Sequence, residues 1–347
     1  MKNIFSCVFT LLIFSALTSC DKSDPNKEKY QSDRDNVIDV MSHIVDIETE
    51  IVIGRPWLYI FEDYLIVCDT QNPAKGIHLF DKTTYQHLAT TGARGYGPGE
   101  ISRYGHFGFD KANRLFYVAD HGKQAVFRFE VDLVLKDPNY LPTKAFNLDK
   151  ELFPTTFDLV DPNTLIGSAI EVVSNSSYNN TVVSYNMASD ELKEIGESHP
   201  KVDPFKLTTY FALSEEEGIY IQGYASHDLL SVSNLEGELL YNIYGPQWEK
   251  KRTKNDYYYV SKIMGDKIIA AFLGEPAVIF NDKQRPRSVL PTKFLVFNAK
   301  DGTYEKTIDT ESDIFYFCVD EENQRIITYY NDRVNPLGYI DLDDISE

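Results

Sequence analysis

Leu115-Phe116-Tyr117-Val118-Ala119-Asp120 is a run of apolar and aromatic side chains ending on an acid, and it returns in altered form along the whole chain. The related runs are Leu65-Ile66-Val67-Cys68-Asp69, Leu165-Ile166-Gly167-Ser168-Ala169, Ile219-Tyr220-Ile221-Gln222, Ile268-Ile269-Ala270-Ala271-Phe272 and Ile326-Ile327-Thr328-Tyr329-Tyr330. In chain order their first residues lie 50, 50, 54, 49 and 58 positions apart. Each is followed by a second strand-like run: Ile77 to Asp81, Ala125 to Val131, Thr181 to Asn186, Leu229 to Asn234, Lys293 to Asn298 and Pro336 to Leu342. Period-2 alternation, abundant Tyr and Phe, and turn dipeptides such as Glu236-Gly237 and Asp301-Gly302 read as antiparallel strands. A unit of roughly 40 to 50 residues carrying four short strands has the size of one propeller blade, and radial packing of such blades buries both sheet faces. The expectation is an all-β, six-bladed β-propeller of four-stranded antiparallel blades over residues 36–347.

The chain ends fit a ring. After the last repeat only three strand candidates precede Glu347, and before the first repeat Val37 to Ile53 holds an unassigned β-rich stretch. That stretch is expected to supply the missing outer strand of the final blade.

Residues 1–19 have the profile of a secretory leader: Lys2, a mostly apolar run from Ile4 to Leu17, then small residues. The run is shorter than the ~20 residues that cross a bilayer. Leu17-Thr18-Ser19-Cys20 resembles the bacterial lipobox, which implies cleavage before Cys20 and a lipid on its sulfur; an ordinary leader ending near a cysteine is the alternative. Acyl chains contribute roughly 0.8 kcal/mol per buried methylene, so the lipid alone can hold a folded body at a membrane. Residues 20–35 contain DKSDPNKEKYQSDRD, rich in charge and without an aliphatic side chain, and read as a solvated flexible tether. The expected location is the Gram-negative envelope, at the outer membrane, on its periplasmic or surface side.

The mature chain would retain Cys68 and Cys318, both inside apolar strand runs where cysteine packs as a small hydrophobe. A bridge between them requires the chain ends to meet. The formal charge is −19, and loss of Lys2 with the leader makes the body more negative still. Such a balance disfavours nucleic acid as a partner. It suits a soluble, monomeric body.

Gly92-Ala93-Arg94-Gly95-Tyr96-Gly97-Pro98-Gly99-Glu100-Ile101 is the sharpest local motif, with a degenerate echo at Tyr244-Gly245-Pro246-Gln247-Trp248-Glu249. It lacks a Gly-Lys-Ser/Thr ending and a following helix, so it reads as a connection between blades, not a phosphate cradle. Here the chain resembles the NHL-repeat and TolB-like six-bladed propeller lipoproteins. Phe109-Asp110, Arg114 to Asp120 and Val126-Phe127-Arg128-Phe129 match the strand order of that repeat, although Ile101 replaces its usual aromatic.

No HExxH pattern, i, i+4 histidine pair, Gly-x-Ser-x-Gly elbow or EF-hand loop occurs. Asp69 and Asp120 occupy matching positions and read as caps for neighbouring backbone N–H groups. His121 and His227 follow second-strand runs by similar distances, and some NHL-type propellers bind metal in the channel and act as lyases. The resemblance therefore carries a metal-assisted lyase or hydrolase as the alternative function. No cofactor is expected otherwise.

Recognition is the preferred reading. Arg55, Trp57, Arg94, Tyr96, Arg103, Tyr104, His106, His121, Tyr224, His227 and Tyr258 fall at strand starts or in loops expected to share the channel face. Arg and aromatic residues dominate binding hot spots. The anticipated partner is an envelope protein or a carbohydrate, bound without catalysis. A polar insertion in the fifth unit, Gly274 to Pro291, is a candidate lid or docking arm.

Overall fold

The computed structural model describes residues 25–148, 152–174, 177–196, 198–202, 207–248, 253–280, 283 and 285–345. The leader and Cys20 lie outside them. Six antiparallel sheets follow one another around a ring, each wound up and down from an inner to an outer strand. Blade 1 comprises Pro56–Phe61, Tyr64–Asp69, Lys75–Asp81 and His87–Ala93, and blade 2 Tyr104–Asp110, Leu115–Asp120, Ala125–Glu130 and Thr143–Asn147. Blade 3 comprises Leu152–Asp161, Thr164–Ser174, Ser177–Asn186 and Glu191–Gly196, and blade 4 Thr209–Ser214, Ile219–Tyr224, Leu229–Asn234 and Leu239–Tyr244. Blade 5 comprises Asp256–Met264, Lys267–Glu275, Lys293–Asn298 and Tyr304–Asp309, and blade 6 begins with Ile314–Asp320, Arg325–Tyr330 and Leu337–Asp341. The two repeated runs of the sequence are thus the second and third strands of every blade.

The core is divided among the seams between blades because each sheet has apolar side chains on both faces. Phe107, Phe116 and Phe129 fill the seam between blades 1 and 2, with Phe116 and Phe129 stacked at 4.7 Å. Ile269, Phe294, Phe317 and Ile326 fill that between blades 5 and 6, and Leu65, Phe80, Cys318 and Ile327 close the ring between blades 6 and 1. A fully buried Phe or Ile stabilises such a seam by about 1.5–3 kcal/mol relative to exposure. Cys68 and Cys318 are both buried and unpaired.

The N-terminal segment closes the ring and does more than expected. It laces three consecutive blades: β1 (Glu28–Tyr30) runs parallel to Leu239–Tyr244 as a fifth strand of blade 4, and β2 (Val37–Asp39) runs parallel to Tyr304–Asp309 as a fifth strand of blade 5. Then β3 (Val45–Asp46) pairs antiparallel with Leu337–Asp341 and becomes the missing outer strand of blade 6. Only this last step was legible as strand bookkeeping. Residues 25–35, read from composition as part of a flexible tether, are instead laid against the body. Lys27 donates to the Leu239 carbonyl at 2.7 Å, Tyr30 stacks on Tyr244 at 4.5 Å, and the Arg34 side chain, 10% exposed, reaches between blades 4 and 5. Strand pairing at an open sheet edge runs through backbone groups, so a polar sequence can supply it.

Candidate functional site

The up-and-down order of every blade sorts the connections onto two faces. Links from an outer strand to the next inner strand, and from second to third strands, share one face, here the loop face. Links from first to second and from third to fourth strands share the opposite, turn face.

Arg55, Arg94, Tyr96 and Arg103 are exposed on the loop face, Tyr96 at 85%. Arg94 donates to the carbonyls of Thr70 at 2.8 Å and Asn72 at 3.2 Å, and its guanidinium lies 5.7 Å from the Tyr104 ring. The Arg55 guanidinium lies 5.8 Å from the Phe315 ring. These contacts hold both guanidinium planes in defined orientations on the loop face. Tyr104, Tyr224 and Tyr258 support the face from beneath, buried with their hydroxyls engaged: Tyr104 with the Gly76 amide and Gly92 carbonyl, Tyr224 with the His199 amide, Tyr258 with Asp228 and Arg34. Trp57 is half-buried and packs against the seam of blades 1 and 2.

The loop Gly92 to Ile101 joins blades 1 and 2. The Glu100 carboxylate folds back into it, accepts the Gly97 N–H at 2.7 Å, and occupies the space that a Cβ on Gly95 would need. An acid in that position excludes phosphate by charge as well as volume. Lys123 fastens the loop by donating to the carbonyls of Gly97 and Glu100 at 2.8 and 2.7 Å, while Ile101 is fully buried in the seam. Asp69 and Asp120 are the caps their matched positions suggest: Asp69 accepts from the amides of Gly54 and Gln71, Asp120 from those of Ser102, Arg103, Gly122 and Lys123.

His121 and His227 both lie in second-to-third-strand loops, but in blades 2 and 4, with blade 3 between them. His227 is buried beside Trp248, ring centroids 5.9 Å apart. Burial holds the His121 pKa below its usual value, assisted by Arg103 and opposed by Asp120. Among the described residues no three His, Cys, Asp or Glu side chains converge as a metal site would require.

Beneath the mouth, the inner strands bring one group of residues together that sequence reading singled out only through His106. Tyr59 of blade 1, His106 of blade 2, Asp158 of blade 3, Lys262 of blade 5 and Tyr316 of blade 6 all belong to first strands. The Lys262 ammonium lies 5.6 Å from the Tyr59 ring centroid and 5.7 Å from that of Tyr316, and His106 stands edge-on to Tyr59 at 5.7 Å. Burial depresses the His106 pKa to about 3, reinforced by Lys262 and His121 and opposed by a bond with the Phe157 backbone. Burial raises that of Asp158 to about 7, against the pull of Lys262 and Lys111. Both side chains keep part of their surface open although protein surrounds them, as befits the wall of a narrow channel. At neutral pH this wall offers an ammonium, a neutral imidazole, phenols and a carboxyl near its midpoint, a set suited to hydrogen-bonding a polar ligand group. The available signal was a charge inside an apolar inner strand, as in Phe157-Asp158-Leu159 and Ser261-Lys262-Ile263.

The blade 5 insertion is a hairpin, Val278–Phe280 paired with Pro286–Ser288, on the loop face. Val278, Ile279 and Phe280 are 50%, 41% and 63% exposed.

No protein-family model matches the sequence, and no curated protein does. Among solved structures, a member of the DUF4221 family from Bacteroides vulgatus is similar, with a TM-score of 0.61 at 12% identity over 85% of this chain and 94% of that one. A Bacteroides fragilis protein described as a candidate exported protein gives 0.51 at 9% identity over 87% of each chain. At these identities the likeness establishes the propeller fold.

Proposed function

We propose that this chain is an exported, non-catalytic recognition propeller of the NHL-repeat or TolB-like type, held at the outer membrane by a lipid on Cys20. It binds an envelope protein or a carbohydrate through its loop face. The observation that carries this reading is the group of exposed Arg55, Arg94, Tyr96 and Arg103 on one face of an otherwise strongly acidic molecule. Guanidinium forks favour carboxylate, sulfate or phosphate groups, so an acidic partner fits best. The likeness to a protein described as exported, together with the leader-like residues 1–19, supports placement outside the cytoplasm. No helix among the described residues is long and apolar enough to cross a membrane.

A photoreactive amino acid at Tyr96, introduced in intact cells, tests the reading. It should capture one envelope component, and Arg94→Ala with Arg103→Ala should abolish the capture while leaving the body folded, with a single cooperative melting transition. Equal capture from an exposed turn-face position such as Glu236 would refute the loop-face assignment. The metal-assisted alternative would gain the lead if the purified body carried stoichiometric zinc or calcium.

A further inference from the structure

The direction of β1 decides which face of the propeller can meet a membrane. Because β1 runs parallel to the outer strand of blade 4, with Glu28 opposite Asn242 and Tyr30 opposite Tyr244, its beginning lies toward the turn face and its end toward the loop face. The Lys27 bond to the Leu239 carbonyl places the preceding turn, Pro25–Lys27, at the start of that outer strand, beside the Leu235 to Glu238 turn. The anchored end of the body therefore sits at the turn face, at the perimeter of the ring.

We infer that the loop face is presented away from the bilayer and that the turn face is membrane-proximal. The inference rests on lipidation of Cys20 as proposed above. Five residues from Cys20 to Pro25 reach at most about 18 Å even when fully extended. Climbing the outer strand of blade 4 from Leu239 to the loop face would consume about 17 Å at ~3.4 Å per residue. Nothing is left to pass the loops that project beyond it, so Arg94, Tyr96 and the blade 5 hairpin cannot be turned down onto the anchoring leaflet. The orientation follows from reach and not from charge, since Glu215, Glu216, Glu236, Asp266 and Glu321 stand on turn-face links. Anionic headgroups would repel them over about 8–10 Å, keeping the body off the surface at the end of its short leash.

The test uses full-length lipidated protein purified from membranes and returned to vesicles containing headgroup spin-labelled lipid. Buried Cys68 and Cys318 do not compete for a thiol-reactive fluorophore, so single labels can be set at Glu236→Cys and Gln247→Cys, at opposite ends of the same outer strand. Quenching should be several-fold stronger at position 236 than at 247, and weak at Tyr96→Cys. Inserting about 20 flexible residues between Asp24 and Pro25 should erase the difference. Equal or reversed quenching in the unextended protein, with vesicle association intact, overturns the orientation alone. If the mature N-terminus carries no acyl mass and Cys20→Ala leaves vesicle association unchanged, the lipid reading itself fails and the orientation falls with it.

Discussion

The guanidinium of Arg34 and the carboxylate of Asp228 lie 2.8 Å apart across 194 residues of sequence, sealed in the seam between blades 4 and 5. Tyr258 completes the arrangement, accepting from Arg34 at 3.0 Å and donating to Asp228 at 3.1 Å, while Phe272 lies 4.8 Å from the guanidinium. The Gly245 backbone packs so closely on this carboxyl that a Cβ there would overlap it, which explains a glycine in the Tyr244-Gly245-Pro246 link. A segment that looks like solvated tether is thereby pinned to the perimeter of the ring.

Arg34→Met should destabilise the body by about 3–5 kcal/mol, because it leaves a fully buried carboxylate without its cation. Arg34→Met combined with Asp228→Asn should recover much of that loss. Urea unfolding of the two variants measures both. Equal stability of wild type and Arg34→Met would mean that the Arg34–Asp228 pair contributes nothing to the closed ring.

The strand rhythm was readable because each blade must bury both faces, which forces the same apolar run to recur. The closing role of the N-terminal segment was readable from the strand count of the last unit. The lacing by β1 was not, since backbone pairing leaves no apolar signature and the partner of Arg34 is distant in sequence. Likewise Tyr104, Tyr224 and Tyr258 advertise aromatic contact area without showing that their hydroxyls turn inward. The channel set of Asp158 and Lys262 emerges only when six inner strands are brought into register.

His199 should contribute to the acid lability of the body. Its ring is buried, accepts the Lys201 N–H at 3.2 Å, and meets the Tyr244 hydroxyl at 2.9 Å. Burial, with Lys201 assisting and Glu28 opposing, lowers its pKa to about 4. The unfolded chain, titrating near 6.5, then binds more protons between these values, so the contribution is complete above pH 6.5 and is lost as pH falls toward 4. The loss should reach about 2–3 kcal/mol, and His199→Gln should flatten that part of a stability profile measured by denaturant unfolding.

Asp158 acts with the opposite sign. Its carboxyl titrates near 7 in the folded protein, chiefly through burial, against about 3.9 in the unfolded chain. The native state therefore holds the extra proton between those values, and stability declines as pH rises through that window. Asp158→Asn should remove the decline and raise stability at pH 8 by on the order of 1–2 kcal/mol, allowing for water in the channel. A gain at pH 4 as large as at pH 8 would show that the carboxyl does not titrate in this range.

Lys262 couples the two titrations. Its ammonium rests over the rings of Tyr59 and Tyr316, and its charge opposes protonation of both Asp158 and His106. Lys262→Met keeps the length and much of the ring contact while removing the charge, so both neighbours should become easier to protonate. The Asp158 midpoint should move above 7 and that of His106 should rise from about 3, both followed by NMR across a pH series. Destabilisation at pH 8 should grow only if the ionised carboxylate loses a compensating cation, so Lys262→Met should be milder in an Asp158→Asn background. Unchanged titrations in Lys262→Met would place the ammonium out of electrostatic reach, and the channel wall would then be a set of independent polar groups.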